Sequence, residues 1–243
     1  MTSGKKPTRG KAGKSSLSGG QRQLRVSVKT ASKRSTSSAR WLDRQLNDPY
    51  VAASKRDGMR SRAAYKLKEI DSRYKFLKSG QRVVDLGAAP GGWSQIAAAI
   101  VKAHEGKGQV VAIDYLGVEA IPGVEILELD FTDEKAEGVL KSKLRDGRAD
   151  VVLSDMAAPT TGHTNTDHIR IMALAEMAAA FAADVLSPGG AFLCKVLQGG
   201  TERDLLDGLK RNFSVVRHVK PPASRADSAE LYVLATGYRG KSV

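Results

Sequence analysis

The chain of 243 residues has one cysteine, Cys194, and four histidines, His104, His163, His168 and His218, scattered without ligand spacing. A single thiol excludes an intramolecular disulfide and a thiol-rich zinc site, and it fits a reducing cytoplasm. With the imidazoles dispersed as well, no metal centre is expected. No apolar run approaches the ~18 residues of a membrane span, so no membrane association through a spanning helix is expected. Residues 1–40 contain no aspartate or glutamate and almost no aromatic or large aliphatic side chain. Such a segment cannot bury enough surface to offset the entropy of ordering it. Residues 1–40 therefore read as a disordered basic tail and residues 41–243 as a single domain.

The charge that is present is unevenly placed. The formal net charge is +13, and residues 1–40 supply 11 lysines and arginines with nothing to balance them. The other 203 residues hold 28 basic and 26 acidic side chains, but residues 55–82 concentrate ten basic against three acidic. Two basic zones on an otherwise neutral body point to a polyanionic partner, because clustered Lys and Arg release counterions on binding phosphates. The tail also has the composition of an organellar transit peptide, though without an amphipathic stripe; an RNA-contacting arm is the better reading. Gly13-Lys14-Ser15 imitates the end of a phosphate-binding loop, but Thr8 stands where that loop needs glycine and no strand precedes it.

From Ser61, apolar residues Ala64, Leu67, Ile70 and Tyr74 recur at helical spacing. Strands are expected at 82–86, 109–114, 125–129, 150–154, 191–197, 214–219 and 231–235. Helices are expected at 93–104, 133–145, 167–186 and 202–211. Alternating strands and helices predict an α/β fold, a mostly parallel seven-stranded sheet covered by helices on both faces. The last two strands have no helix between them and predict an antiparallel hairpin, and hence one antiparallel strand, at one edge.

Asp85-Leu86-Gly87-Ala88-Ala89-Pro90-Gly91-Gly92-Trp93 follows the first of these strands. An apolar strand that runs through a glycine-rich turn into a helix builds a small-molecule crevice at the strand's carboxyl end. G-x-G-x-x-G is absent, which argues against a dinucleotide oxidoreductase. Other polar residues end strands on the same side: Asp114, placed to hold ribose hydroxyls; Asp130, placed to accept from an adenine amino group or merely to cap a turn; Asp155; and Lys195. Lys195 lies inside the apolar Ala191–Leu197 run, where a lysine is costly unless paired or used. Cys194 beside it reads as a small core residue.

These segments, with Ser61-Arg62-Ala63-Ala64-Tyr65-Lys66-Leu67, Ser154-Asp155-Met156-Ala157 and the stretch from Ser224-Arg225 to Glu230, resemble the FtsJ/RrmJ family of S-adenosylmethionine-dependent RNA 2′-O-methyltransferases. The resemblance runs from about Tyr50 to Tyr238. It implies a Rossmann-like catalytic methyltransferase domain with Lys66, Asp155, Lys195 and Glu230 as the catalytic set. Gly91, Trp93, Asp114, Asp130 and Asp155 take the cofactor positions, and Asp85, Gly87, Pro90 and Gly92 complete the S-adenosylmethionine turn. The region from Trp93 to Asp114 is longer than the family pattern, with a turn at Gly106-Lys107-Gly108, and the basic tail is longer too.

The resemblance implies methylation of a uridine ribose in the A-loop of large-subunit rRNA, within the assembled subunit, by a cytoplasmic enzyme without a metal; a monomer is the default. Arg60, Arg62, Lys68 and Arg225 are the candidate RNA contacts. Lys195 is expected to deprotonate the 2′-hydroxyl, Asp155 to orient Lys195, and Lys66 and Glu230 to position the ribose. The alternative is that Lys195 stays charged and only steers the hydroxyl. Rival readings are a relative acting on tRNA or another RNA and a non-catalytic RNA-binding assembly factor.

Overall fold

The computed structural model describes residues 1, 26–27, 30, 35–199 and 203–240. The chain divides into two units, Met1–Asn47 and Asp48–Val243. In the first, helix α1 spans Thr36–Leu46, and the Ser35 side chain caps it by accepting from the Ser38 amide. The boundary expected at residue 40 falls inside this helix. Composition alone misses it because a capping serine and an uninterrupted stretch without glycine or proline suffice to start a helix. Most of the expected disordered tail, residues 2–25, 28–29 and 31–34, lies outside the described residues.

In the second unit, α2 (Pro49–Arg56) begins with Asp48 as its cap and proline in its first turn. Helix α3 (Ala63–Tyr74) follows. The strands are β1 (Arg82–Leu86), β2 (Gln109–Asp114), β3 (Val124–Glu128), β4 (Ala149–Ser154), β5 (Leu186–Leu197), β6 (Phe213–Val219) and β7 (Glu230–Tyr238). Helices α4 (Gly92–Val101), α5 (Ala136–Lys143), α6 (Thr164–Val185) and α7 (Arg203–Asn212) lie between them. The sheet order is β3-β2-β1-β4-β5-β7-β6. The expected hairpin forms at one edge, with the antiparallel β7 inserted between β5 and β6. The segment before β2 contains a single turn of tighter helix at Ala103–Glu105 and the left-handed Gly106.

Period-two alternation explains why both faces are covered. Val84, Val152 and Phe192 pack with Leu140, Phe181 and Leu209 from α5, α6 and α7. Val83, Val151 and Leu193 face the other way, against Leu67 and Ile70 of α3 and Ala97 of α4. Strand order reverses between β1 and β4, the topological switch point where α/β sheets bind ligands. Register puts the ends of these strands level: Leu86 opposite Ile113 on one side and Ser154 on the other. Gly87, Asp114 and Asp155 consequently leave the sheet at one rim.

Candidate active site

That rim opens into a cavity of about 650 Å³ whose wall includes Gly87, Asp114, Asp130 and Asp155. Gly87 is required there. Its φ is +75°, and a Cβ would come within 2.7 Å of Met156 Cγ. Asp114 accepts from the Ala89 amide at 2.9 Å and the Leu116 amide at 2.8 Å, tying the glycine-rich turn to the end of β2. Each carboxylate oxygen keeps a second lone pair, so Asp114 can still receive ligand hydroxyls. Asp130 Oδ1 accepts from the Thr132 amide and hydroxyl, both at 2.8 Å. Asp130 thus fills the turn role open to it while also lining the cavity.

The rest of the expected cofactor set surrounds the glycine-rich turn without lining this cavity. Gly91, at φ +104°, starts α4, and a Cβ there would meet Ile121 and Arg60. Gly92 abuts Ser61, and a Cβ would collide with its hydroxyl. Pro90 is exposed, and its carbonyl accepts from Arg60 at 3.4 Å. Trp93 is buried in the core; its indole donates to the Ala63 carbonyl at 2.9 Å, and its ring packs beside Tyr232. A large aromatic after a glycine turn can serve a ligand or a helix contact, and here it locks α4 to α3.

Asp85 is wholly buried, with Oδ2 accepting from Ser94 Oγ at 2.5 Å. Burial pushes its carboxyl up to about 7, the nearby Asp155 and Asp114 charges adding to the rise and the Ser94 hydrogen bond opposing it. A raised carboxyl pKa means that the folded state holds the proton more tightly than the unfolded chain. The stability it contributes is full below pH about 4 and is lost as pH rises through about 7. Asp85→Asn is expected to flatten the melting temperature between these pH values; an unchanged slope would show that Asp85 does not carry it.

Beyond Asp155 lies a second cluster, made of charge. Lys195 Nζ donates to Asp155 Oδ1 at 3.0 Å and to the Asp155 carbonyl at 2.6 Å. The Tyr232 hydroxyl donates to the same Oδ1 at 2.8 Å and accepts from Lys66 Nζ at 3.0 Å. Lys66 also reaches both oxygens of Glu230 at 2.7 Å, and Ser224 donates to Glu230 at 2.9 Å. All four expected catalytic residues are therefore joined in one chain of contacts. Two ammonium groups face two carboxylates, so the buried charge is balanced.

Burial acts to raise the Asp155 pKa, but the Lys195 and Lys66 ammoniums, with hydrogen bonds from Tyr232 and Lys195, outweigh it and hold the carboxyl below its usual range. Burial, then the Asp155 and Glu230 carboxylates, push the Tyr232 phenol well above 10. Tyr232 thus stays protonated, a neutral relay between Lys66 and Asp155.

A cavity that shares one ionised aspartate with a buried lysine suits transfer of a group from a cavity ligand to an acceptor at the lysine. An FtsJ-like methyltransferase family model matches residues 59–238. The chain belongs to this family. It is 62% identical over 242 residues to the ribosomal RNA large subunit methyltransferase E of Parvibaculum lavamentivorans, covering 97% of this chain and 94% of that protein. Identity to the protein of the same name in Azorhizobium caulinodans is 60% over 221 residues, covering 91% and 92%. A solved structure titled as a ribosomal RNA methyltransferase from Plasmodium falciparum superposes with a TM-score of 0.66 at 29% identity, covering 75% of this chain and all of that one.

Within this FtsJ-like domain, sequence reading missed Tyr232. The signal was there in the strand pairing: Lys195 sits directly across from Tyr232, and Glu230 lies two residues along on the same face. It also missed Asp48, a buried carboxylate that forms an ion pair with Arg62 at 2.9 Å and accepts from Arg225 at 3.1 Å. Asp48 fastens the start of α3 to the loop that precedes Glu230, flanking the Lys66–Glu230 pair on both sides.

Three of the four expected RNA contacts are committed internally. Arg60 donates to the carbonyls of Glu119 at 2.9 Å and Ala120 at 2.6 Å. Arg62 and Arg225 meet on Asp48, and Arg62 also holds the Ala223 carbonyl. Lys68 is exposed, over the Tyr65 ring. Among the described residues, no cluster of three or more His, Cys, Asp or Glu could hold a metal, and no helix is long and apolar enough to cross a membrane.

Proposed function

We propose that this protein transfers a methyl group from S-adenosylmethionine to the 2′-hydroxyl of a uridine in the A-loop of large-subunit rRNA, acting as a cytoplasmic monomer on the assembled subunit. The observation that carries the reading is Asp155, which lines the cavity and holds Lys195 by two hydrogen bonds. The names of the relatives support rRNA as the acceptor.

The residues present fit S-adenosylmethionine. Asp114 and Asp130 offer acceptors in the wall, the Gly87 turn lets backbone close on the ligand, and the ionised Asp155 suits a sulfonium cation. Bound there, the cofactor supplies an electrophilic methyl group. The protein's own task is to align a ribose oxygen and take its proton. Alignment is the larger part, since effective molarity can supply roughly 7–11 kcal/mol. To act as the base, Lys195 first sheds one ammonium proton; its two remaining N–H bonds donate to Asp155 and its lone pair is left for the ribose hydroxyl. The proton passes from the 2′-oxygen to Nζ. Lys66, held by Glu230 and Tyr232, keeps a compensating positive charge one relay away.

Labelled S-adenosylmethionine incubated with large subunits, free rRNA and tRNA tests the acceptor. Labelling of large subunits above the other two is expected; labelling of tRNA alone would overturn the choice of RNA.

The basic tail reads as a sequence-independent phosphate anchor. Removing residues 1–34, which leaves α1 whole, is expected to weaken RNA binding and flatten its dependence on salt while leaving cofactor affinity unchanged. Filter binding from low to high salt checks this, and an unchanged slope removes the tail from the interface.

A further inference from the structure

The arginines named first as RNA contacts are neutralised or strapped to backbone, and two others are not. Arg73, near the end of α3, and Arg217, on β6, converge on Tyr74 from different elements. Their guanidinium carbons lie 5.2 Å and 5.7 Å from the centre of that ring. Both side chains are exposed, and so is the neighbouring Lys75. Two guanidiniums on one ring can be at most about 11 Å apart and repel each other, so a carboxylate between them would be stabilising.

The two acidic residues of α3 hold other partners. Glu69 stands four residues before Arg73, the spacing of a helical ion pair. Its Oε1 instead accepts from the Tyr50 hydroxyl at 2.9 Å and its Oε2 from the Ala223 amide at 2.7 Å. Asp71 Oδ1 turns inward to the Leu77 amide at 2.9 Å. Neither arginine has an ion pair with any described residue. The contrast with Asp48, which neutralises both Arg62 and Arg225, is direct.

We infer that Arg73, Tyr74 and Arg217, with Lys75 at the margin, form an RNA backbone-binding platform separate from the reaction centre. Guanidinium forks bind phosphate oxygens well, and the aromatic ring holds both at little entropic cost. Arg73 follows Lys66 by seven residues, two helical turns or roughly 10 Å along α3. A structured RNA presenting a ribose to Lys195 can therefore lay a flanking phosphate strand along α3 onto this platform. The platform sets affinity and register and carries no base specificity. It rests on the RNA-methyltransferase reading for its partner, and its test is separable from that reading.

The test is the double variant Arg73→Gln/Arg217→Gln in the full chain, beside Lys107→Gln/Lys143→Gln, which removes the same charge elsewhere. Binding of large-subunit rRNA is measured as a function of salt, together with the KM and kcat of methyl transfer and the affinity for S-adenosylmethionine. The platform variant is expected to lower the slope of log K against log salt by about 2, one per phosphate contact. KM for RNA is expected to rise on the order of tenfold or more, as for loss of a charge-assisted hydrogen bond. Neither kcat nor cofactor affinity should change, and the control variant should keep the wild-type slope. A wild-type slope and KM in the platform variant, or an equal loss in the control, overturns the platform. If the wild-type protein methylates none of the RNAs and the slope still falls by about 2 in the platform variant alone, the platform stands and the methylation reading fails.

Discussion

Lys195→Ala is expected to lower single-turnover methyl transfer by ~10²–10⁴-fold, the usual worth of a positioned base. S-adenosylmethionine affinity should change little, because Lys195 stands outside the cavity wall and touches it only through Asp155. Calorimetry and rapid quench on the same preparation check both halves, and near-wild-type turnover would remove Lys195 from the chemistry. Lys195→Arg sharpens the result. Arginine keeps a positive charge and can donate to Asp155, but it does not give up its proton in proteins. If Lys195 is the base, the arginine variant should be nearly as slow as alanine. If Lys195 only steers the hydroxyl, arginine should recover much of the rate. A rate of chemistry that does not vary from neutral to alkaline pH would also count against the base.

Asp155→Asn is expected to damage both functions together, and in that it differs from every change at Lys195. Asp155 is the residue shared by the cavity and the charge cluster. Its carboxylate is held ionised, against burial, by the Lys195 and Lys66 ammoniums and by the Tyr232 and Lys195 hydrogen bonds. Removing the charge leaves two buried lysines facing only Glu230. Breaking a buried pair in this way costs about 3–5 kcal/mol, unless one lysine sheds its proton and gives up its interactions. The variant should therefore melt lower, bind S-adenosylmethionine more weakly and lose turnover on the order of a hundredfold or more. Unchanged cofactor affinity would separate Asp155 from the cavity ligand. Unchanged turnover would break the link between Lys195 and catalysis.

The sheet was legible because its physics is local. Strands such as Arg82–Leu86 and Gln109–Asp114 are short apolar runs bounded by turn residues, and both faces are buried, so the runs are nearly continuous. The Gly87 turn was legible for the same reason: a positive φ with Met156 against the missing Cβ admits little but glycine. Helices α1 and α2 were not read in advance. Helix α1 carries apolar Ala39, Leu42 and Leu46 at helical spacing, but inside a stretch whose overall basic, serine-rich composition reads as a tail. Both helices start at single capping residues, Ser35 and Asp48.

At the site, charge was visible and partnership was not. Lys195 stood out as a lysine in an apolar strand. Lys66 and Glu230 looked like surface charges until resemblance joined them. Tyr232 went unnoticed because only the β5–β7 pairing sets it opposite Lys195. Arg60, Arg62 and Arg225 read as RNA contacts because sequence gives the cation without its carboxylate or carbonyl. Asp48 and the Glu119–Ala120 turn hold those three, whereas Arg73 and Arg217 meet on the Tyr74 ring without an ion pair to any described residue. Trp93 shows the same limit in reverse: an aromatic beside a ligand turn, spent on packing α4 against α3.

The claim beneath all of this is that the acceptor is a ribose oxygen, taken by the Lys195–Asp155 pair. Large subunits methylated by the wild-type protein with labelled S-adenosylmethionine can be digested to nucleosides and separated. The account predicts label in 2′-O-methyluridine and, over the same short reaction time, only a small fraction of it with Lys195→Ala; label on a base, or equal label from the variant, would contradict it.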